Sequence, residues 1–114
     1  MLRVITLNLN GVRSAYRKGV FTWLEQQNAD IVCVQELKAH DGDLTAEMRM
    51  PCGLIGHFHC AQKKGYSGVG LYSAHKPDLV QSGLGVDDID AEGRYLQADF
   101  GMDSVISVYF PSGS

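Results

Sequence analysis

The chain has 114 residues, a formal net charge of −3 and 45% hydrophobic residues, values that are ordinary for one globular domain. No window approaches the roughly 18 apolar residues of a membrane span, and no pattern of a secretory signal is present. The net charge does not indicate binding to nucleic acid through the field of the whole molecule, so any such binding would have to be local. Three cysteines without an export signal indicate reduced thiols and a cytoplasmic protein.

The first third of the chain predicts a strand, a helix and a second strand. Apolar residues are dense in LRVITLNLN (2–10), which predicts a strand that is buried on both faces and ends before Gly11. Apolar residues three and four apart predict one helix from about Arg13 to Gln27. DIVCVQ (30–35) predicts a second short, buried strand. A strand–helix–strand unit of this length predicts that its two strands are parallel neighbours.

The rest of the chain predicts mostly antiparallel strands. After a polar loop, either Asp43 or Thr45 is expected to cap one or two helical turns. Four strand-like runs follow, with intervening turns that favour antiparallel pairing: GLIGHFHCA (53–61), YSGVGLYS (66–73), GRYLQADF (93–100) and DSVISVYF (103–110). We expect an α+β or a mixed α/β fold, with a mixed sheet that has a parallel start followed by an antiparallel meander. One substantial helix is little cover for a sheet of about six strands, so the chain is expected to be truncated.

Polar side chains follow both early strands where each strand ends. They are Asn8 and Asn10 after the first strand, and Gln35, Glu36 and Lys38 after the second. Because the carboxyl ends of parallel strands meet at one edge of a sheet, these groups are expected to converge. A carboxylate among amides suits a hard cation such as Mg²⁺, and an extended chain would point Lys38 the same way as Glu36, toward an anionic substrate. The competing interpretation is a surface Glu–Lys pair, which is common.

Other charged or metal-ligating segments are less specific. Arg13, Arg17 and Lys18 form a basic patch at helical spacing, which suits either phosphate binding or a solvated helix face. The histidines and cysteine in 57–60 lie on opposite strand faces, which does not favour zinc. The acidic segment 87–99 partly imitates a calcium loop but lacks flanking helices, so a solvated loop is favoured.

Five motifs taken together resemble one family. They are LNLNGVRS, DIVCVQELK, GYSGVGLYS, EGRYLQADF and VISVYFPSG, in the order seen in exonuclease III-type apurinic/apyrimidinic endonucleases of the endonuclease/exonuclease/phosphatase superfamily. The resemblance implies a four-layered α/β sandwich, of which residues 1–114 would be the amino-terminal half of a single domain. It also implies hydrolysis of DNA phosphodiester bonds in base-excision repair, with Mg²⁺ or Mn²⁺ as the metal. The substrate would be double-stranded DNA with abasic sites or 3′ ends, and the complete enzyme would be a monomer that does not bind membranes.

The resemblance assigns roles to individual residues. Glu36 matches the family's principal metal-ligating glutamate, and Asn10 occupies a metal position where some relatives have an aspartate. The residues that match groups around the scissile phosphate are Asn8, Lys38 and Tyr109. The residues that match contacts to the DNA backbone are Arg13, Arg17 and Arg94.

Two parts of the family's catalytic centre have no match in this sequence. These are a later Asp-x-Asn pair and a near-terminal aspartate and histidine that act together. Residues 1–114 alone are therefore expected to be inactive, because removing one member of a catalytic unit costs nearly as much as removing all. Two other functions stay open from the sequence: a phosphatase or phosphodiesterase of the superfamily that acts on a lipid or inositol phosphate, and a non-catalytic nucleic-acid-binding module.

Overall fold

The computed structural model describes residues 2–111, which form two sheets. The first sheet has the order β1-β2-β4-β3, with β1 at Val4–Asn8, β2 at Ile31–Gln35, β3 at Ile55–His59 and β4 at Val69–Ser73. The second sheet has the order β5-β6-β7, with β5 at Leu79–Ser82, β6 at Tyr95–Phe100 and β7 at Asp103–Val108. β1 and β2 are parallel, and the other pairs are antiparallel. The last two residues of the VISVYFPSG motif, 112 and 113, lie outside the described part of the chain.

Short helices connect these strands. They are α1 at Val12–Arg17, α2 at Val20–Glu25, α3 at Ala46–Arg49 and α4 at Asp87–Asp90, with 3-10 turns at Asp41–Asp43 and Pro51–Gly53. Thr45, one of the two predicted caps, is the N-cap of α3, because its hydroxyl accepts a hydrogen bond from the Met48 N–H at 3.3 Å. Within residues 2–111, no helix has the length and the apolar character needed to cross a membrane.

The predicted parallel pair is confirmed. β1 and β2 are in register, with Asn8 opposite Gln35 at their carboxyl ends. Backbone pairing continues beyond the strands, since the Gly11 N–H donates to the carbonyl oxygen of Glu36 at 2.8 Å. The segments after the two strands are therefore held side by side.

The single helix predicted from about Arg13 to Gln27 is wrong, since the segment forms α1 and α2 with a break between them. Gly19 lies at the break with a φ of 85°, a left-handed conformation that glycine adopts readily and that a continuous helix cannot contain. The buried face of the two helices consists of Val12, Ala15, Phe21 and Leu24.

The prediction that the first strand is buried on both faces is also wrong. β1 is an edge strand of the first sheet, and Val4 is 48% exposed. Ile5 and Leu7 point the other way and pack against the core beneath the helices. β2 lies inside the sheet, and Ile31 to Val34 are buried on both faces as predicted.

The antiparallel strands divide between two sheets and do not form one meander. β3 and β4 pair with each other, and β4 also pairs with β2, so this hairpin completes the first sheet. β5 and α4 were missed because their segment has few apolar residues in alternation; β5 is specified by its pairing with β6, in which Gln81 lies opposite Gln97.

The core lies on both faces of the first sheet. Val32, Val34 and Tyr72 face the helices, and a separate apolar cluster that includes Cys33 and Leu71 fills the space between the two sheets. The resulting order of helices, first sheet and second sheet agrees with the sandwich that the resemblance implies. An apolar cleft remains on the outer face of the second sheet, lined in part by Leu84, Ile89, Ile106 and Phe110.

Candidate metal and phosphate site

The ends of β1 and β2 contribute to one cluster of polar side chains. Asn8 lies at the end of β1, and its Nδ2 donates a hydrogen bond to Oε2 of Glu36, which follows β2. The other end of the Asn8 amide is also engaged, since Oδ1 accepts the Asn10 N–H at 2.9 Å. The Glu36 side chain is 20% exposed, so its carboxylate is partly shielded and still reachable from solvent.

Lys38 lies between the two halves of this cluster. Its Nζ is 2.6 Å from Oδ1 of Asn10 and 3.5 Å from Oε1 of Glu36. The convergence expected of Asn8, Asn10, Glu36 and Lys38 is therefore present in the structure.

The backbone reason for this convergence differs from the prediction. Glu36 and Lys38 do not continue an extended strand, because both have left-handed conformations with φ of 54° and 50°. Asn10 is left-handed as well, with a φ of 49°. Leu37, between the two charged residues, is fully buried and anchors the turn. Such conformations are costly, and they often occur at functional sites.

The turn at 36–38 is held against the segment that precedes β4. The Leu37 N–H donates to the Gly68 carbonyl at 3.0 Å, and the Lys38 N–H donates to the Ser67 carbonyl at 2.8 Å. A Cβ on Gly68 would lie 3.1 Å from Cβ of Leu37, and Gly68 has a φ of 89°. Gly68 therefore permits the close backbone packing that positions the cluster.

The two arginines of α1 differ in their relation to the cluster. Arg13 reaches it, because its Nη2 donates to the carbonyl oxygen of Lys38 at 3.4 Å. Arg17 lies one turn further along α1 and is exposed. Among residues 2–111, no hydrogen bond or ion pair joins Arg17 to the cluster.

Tyr109 joins the cluster from the second sheet. It follows β7, and its N–H donates to the carbonyl oxygen of Arg94 at 2.9 Å. The pKa of Tyr109 is raised, first by desolvation and then by the nearby negative charge of the Glu36 carboxylate. The phenol and the carboxylate are therefore neighbours, although they lie on different sheets.

Arg94, just before β6, is held by two residues that the sequence patterns did not predict as site residues. Its Nη2 forms an ion pair with Oε2 of Glu92 and donates to the Tyr66 hydroxyl at 3.2 Å. The Tyr66 hydroxyl in turn donates to the same Glu92 oxygen at 2.6 Å. The pKa of Glu92 is lowered, chiefly by the hydrogen bond from Tyr66 and then by Arg94. Tyr66 lies in the motif GYSGVG and Glu92 lies in the motif EGR. These motifs were the sequence signal that could have identified the two residues.

The donor set fits a hard divalent cation at Glu36. Within residues 2–111, no group of three or more His, Cys, Asp and Glu side chains is placed to hold a metal. A single carboxylate with amide neighbours suits an ion that keeps several water or phosphate ligands. Asn10 fits less well than Glu36, because its Oδ1 already accepts a hydrogen bond from the Lys38 ammonium group.

A family model matches almost the whole chain. The model is described as the Endonuclease/Exonuclease/phosphatase family, and it matches residues 5–112. The chain belongs to this family. As a member of a family of metal-dependent nucleases, it is consistent with the use of a divalent metal.

Curated relatives of this Endonuclease/Exonuclease/phosphatase chain carry nuclease names. An exodeoxyribonuclease from Bacillus subtilis (strain 168) is 37% identical over 112 residues, which are 97% of this chain and 43% of the relative. A DNA-(apurinic or apyrimidinic site) endonuclease from Dictyostelium discoideum is 30% identical over 97% of this chain and 30% of its own length. The chain thus spans less than half the length of these relatives.

Solved structures agree with the fold. An AP endonuclease from Archaeoglobus fulgidus superimposes with a TM-score of 0.83 and 30% identity, over 96% of this chain and 41% of that protein. A 3′ phosphatase, NExo from Neisseria, bound to a product DNA hairpin, has a TM-score of 0.82 and 27% identity over 96% of this chain and 41% of its own. The mixed sheet with a parallel start is thus part of an established α/β sandwich fold.

Proposed function

We propose that this chain is the amino-terminal part of a DNA-repair nuclease of the exonuclease III type. Its substrate is double-stranded DNA with an abasic site or a 3′ end, and its reaction is hydrolysis of a phosphodiester bond. The observation that carries the proposal is the meeting of Asn8, Glu36, Lys38 and Tyr109 at one place. This cluster occurs in a chain that is 37% identical to an exodeoxyribonuclease.

Glu36 is the proposed ligand of Mg²⁺, for which Mn²⁺ is the alternative, and Asn10 is a weaker second ligand. When bound, such an ion neutralises charge that develops on the phosphate and on the leaving oxygen. Asn8 orients the carboxylate of Glu36 by donating a hydrogen bond to Oε2. That contact leaves Oε1, the oxygen nearer to Lys38, directed at the metal and phosphate side.

Lys38 and Tyr109 are the proposed donors to the scissile phosphate. Lys38 supplies a positive charge 3.5 Å from the Glu36 carboxylate, where a phosphate oxygen bound near the metal would lie within its reach. Tyr109 is protonated at neutral pH and its hydroxyl is a hydrogen-bond donor, since the ordinary tyrosine pKa of about 10 is raised further here by desolvation and by Glu36. Both groups would stabilise the negative charge of the transition state more than that of the bound substrate.

The DNA backbone is proposed to cross the site between arginines on both of its sides. Arg13 approaches from α1 through the Lys38 carbonyl, and Arg94 approaches from the second sheet beside Tyr109. Arg17 extends the first of these contacts along α1. Local cations of this kind are required because the chain as a whole has a net charge of −3.

The domain assignment is also a proposal. Residues 1–114 correspond to less than half of the relatives they match, and we propose that they form the amino-terminal part of one catalytic domain. Groups that orient the attacking water would come from the remainder of the domain, so this segment alone is expected to be nearly inactive. Free thiols at Cys33, Cys52 and Cys60 support a reducing, cytoplasmic location, and the complete enzyme is expected to be a monomer.

Cleavage of an abasic duplex tests the proposed activity. Residues 1–114, and any longer product of the same reading frame, would each be assayed with Mg²⁺. The variants Glu36→Gln and Glu47→Gln would be assayed in the same way. The longer product should cut the duplex, Glu36→Gln should abolish cutting, and Glu47→Gln, in α3, should cut normally. An uncut abasic duplex together with phosphate release from an inositol phosphate would instead establish the other superfamily activity.

A further inference from the structure

We propose that Tyr66 and Glu92 are positioning residues that hold the guanidinium group of Arg94 ready for a DNA phosphate. This inference rests on the proposed function, because it concerns how the same site grips the DNA backbone. The three side chains form a closed set of contacts: Tyr66 to Glu92, Glu92 to Arg94, and Arg94 to Tyr66. Each member therefore restrains the other two.

The backbone segments beneath these side chains are closely packed. Gly93, between Glu92 and Arg94, has a φ of 60°, and a Cβ there would lie 2.5 Å from the Ala61 nitrogen. The Gln62 N–H also donates to the Ala91 carbonyl at 2.8 Å. The loop that carries Tyr66 and the segment that carries Glu92 and Arg94 are thus joined at their bases.

The same two segments contact the residues proposed for chemistry. Ser67, next to Tyr66, accepts the Lys38 N–H through its carbonyl oxygen at 2.8 Å. Arg94 accepts the Tyr109 N–H through its carbonyl oxygen at 2.9 Å. A guanidinium fixed here has a defined position relative to both phosphate donors, Lys38 and Tyr109.

Arg94 keeps donors for a phosphate in spite of its ion pair. Both contacts, to Glu92 and to Tyr66, use Nη2. A guanidinium has five N–H donors, and among residues 2–111 no hydrogen bond engages Nη1. The side chain is 28% exposed, so this end of the fork is reachable. Fixing the side chain before binding reduces the entropy lost when a phosphate is bound.

The direction in which Glu92→Gln changes the DNA affinity distinguishes a positioning role from a purely electrostatic one. Glu92→Gln removes a negative charge beside the DNA, so unaided electrostatics predicts tighter DNA binding. If Glu92 holds Arg94 in place, the same substitution weakens DNA binding. Asp88→Asn is the matched control, because Asp88 lines the same cleft as Glu92 and lies outside the three contacts.

Binding of the full chain to an abasic duplex, measured at several salt concentrations, provides the test. We expect Arg94→Gln to weaken binding and to lower the slope of log K against log salt concentration by about 0.9, the value for one phosphate contact. Glu92→Gln and Tyr66→Phe should each weaken binding about threefold to tenfold, through lost preorganisation. Asp88→Asn should leave binding unchanged or slightly stronger.

A double-mutant cycle shows whether these effects pass through Arg94. In the Arg94→Gln background, Glu92→Gln and Tyr66→Phe should cause no further loss. The inference would be overturned if the two substitutions weakened DNA binding just as much in the Arg94→Gln background. Tighter DNA binding by Glu92→Gln alone would also overturn it. If Tyr66→Phe fails to fold, the Glu92→Gln arm decides.

Nuclear magnetic resonance of the Arg94 side chain separates this inference from the proposed function. Rotation of the guanidinium about its Nε–Cζ bond should be slow in the unsubstituted chain and fast in Tyr66→Phe and Glu92→Gln. If the chain does not bind DNA, the proposed function fails, and slow rotation that the substitutions release still supports the positioning of Arg94. Equal rotation in all three proteins overturns it.

Discussion

Lys38 donates a hydrogen bond from Nζ to Oδ1 of Asn10 at 2.6 Å, and this contact connects the segments that follow β1 and β2. It places an ammonium group on the amide oxygen that would otherwise be a second metal ligand. In the proposed metal site Glu36 therefore has the larger part in binding a cation, and the charge at position 10 becomes a variable that experiment can change.

Asn10→Asp should tighten the binding of Mg²⁺. A carboxylate at position 10 adds a second negative ligand near Glu36, and aspartate tolerates the left-handed φ of 49° found there. We expect an affinity gain of about tenfold, or about 1.4 kcal/mol, measured by calorimetric titration. Asn28→Asp is the matched control, with the same change in charge at another left-handed asparagine, φ 51°. Equal affinities for the two variants would contradict the prediction.

Glu36→Gln should remove divalent cation binding. The substitution keeps the size of the side chain and removes the carboxylate that Asn8 and Lys38 contact. Titration with Mn²⁺, followed by paramagnetic resonance, should show no site in Glu36→Gln and an unchanged site in Glu47→Gln. Retained Mn²⁺ binding in Glu36→Gln would refute the assignment of this residue.

Glu36→Gln should also lower the pKa of Tyr109 in metal-free buffer. Desolvation raises this pKa, and the nearby charge of the Glu36 carboxylate raises it further. Removing the charge should return the pKa part of the way toward the ordinary tyrosine value of about 10, and desolvation should keep it above that value. Carbon-13 resonances of the tyrosine rings, followed against pH, would measure it. An unaltered Tyr109 titration would mean that the two side chains do not meet.

Asp99→Asn should reduce the loss of stability in acid. Hydrogen bonds from Ser104, and then from Gln97, lower the pKa of Asp99, so the folded chain favours the charged form. Its contribution is present above the ordinary aspartate pKa of about 3.9 and is lost as the pH falls through the lower folded value. Urea unfolding between about pH 6 and pH 3 should show a shallower decline for Asp99→Asn than for the unsubstituted chain. Asp88→Asn serves as the control, and a decline as shallow as that of Asp99→Asn would count against this explanation.

The three cysteines should react with a disulfide reagent at different rates. Burial raises the pKa of both Cys33 and Cys60 to about 11. The pKa of Cys52 is also raised, by desolvation and then by Glu25, but Cys52 is exposed. Because the thiolate is the reactive form, Cys52 should react first at pH 8, with the other two at least about tenfold slower. Cys52→Ser should eliminate the fast phase. A fast phase that persists in this variant would show that a buried thiol is accessible.

The amino-acid sequence by itself determined the parallel strands, the edge at which their ends meet and the residue types gathered there. Strand and helix patterns are local, and parallel strands must end side by side, so Asn8, Glu36 and Lys38 could be brought together without a structure. The five motifs also indicated the family to which the chain belongs.

Only the tertiary structure decided which contacts join side chains from distant segments of the chain. Tyr109 meets Glu36, and Tyr66 and Glu92 hold Arg94, because two sheets and a glycine-packed loop bring these segments together. The break at Gly19 and the exposure of β1 were also beyond local patterns. A left-handed residue and the position of a strand within its sheet depend on packing between segments, which sequence periodicity does not record.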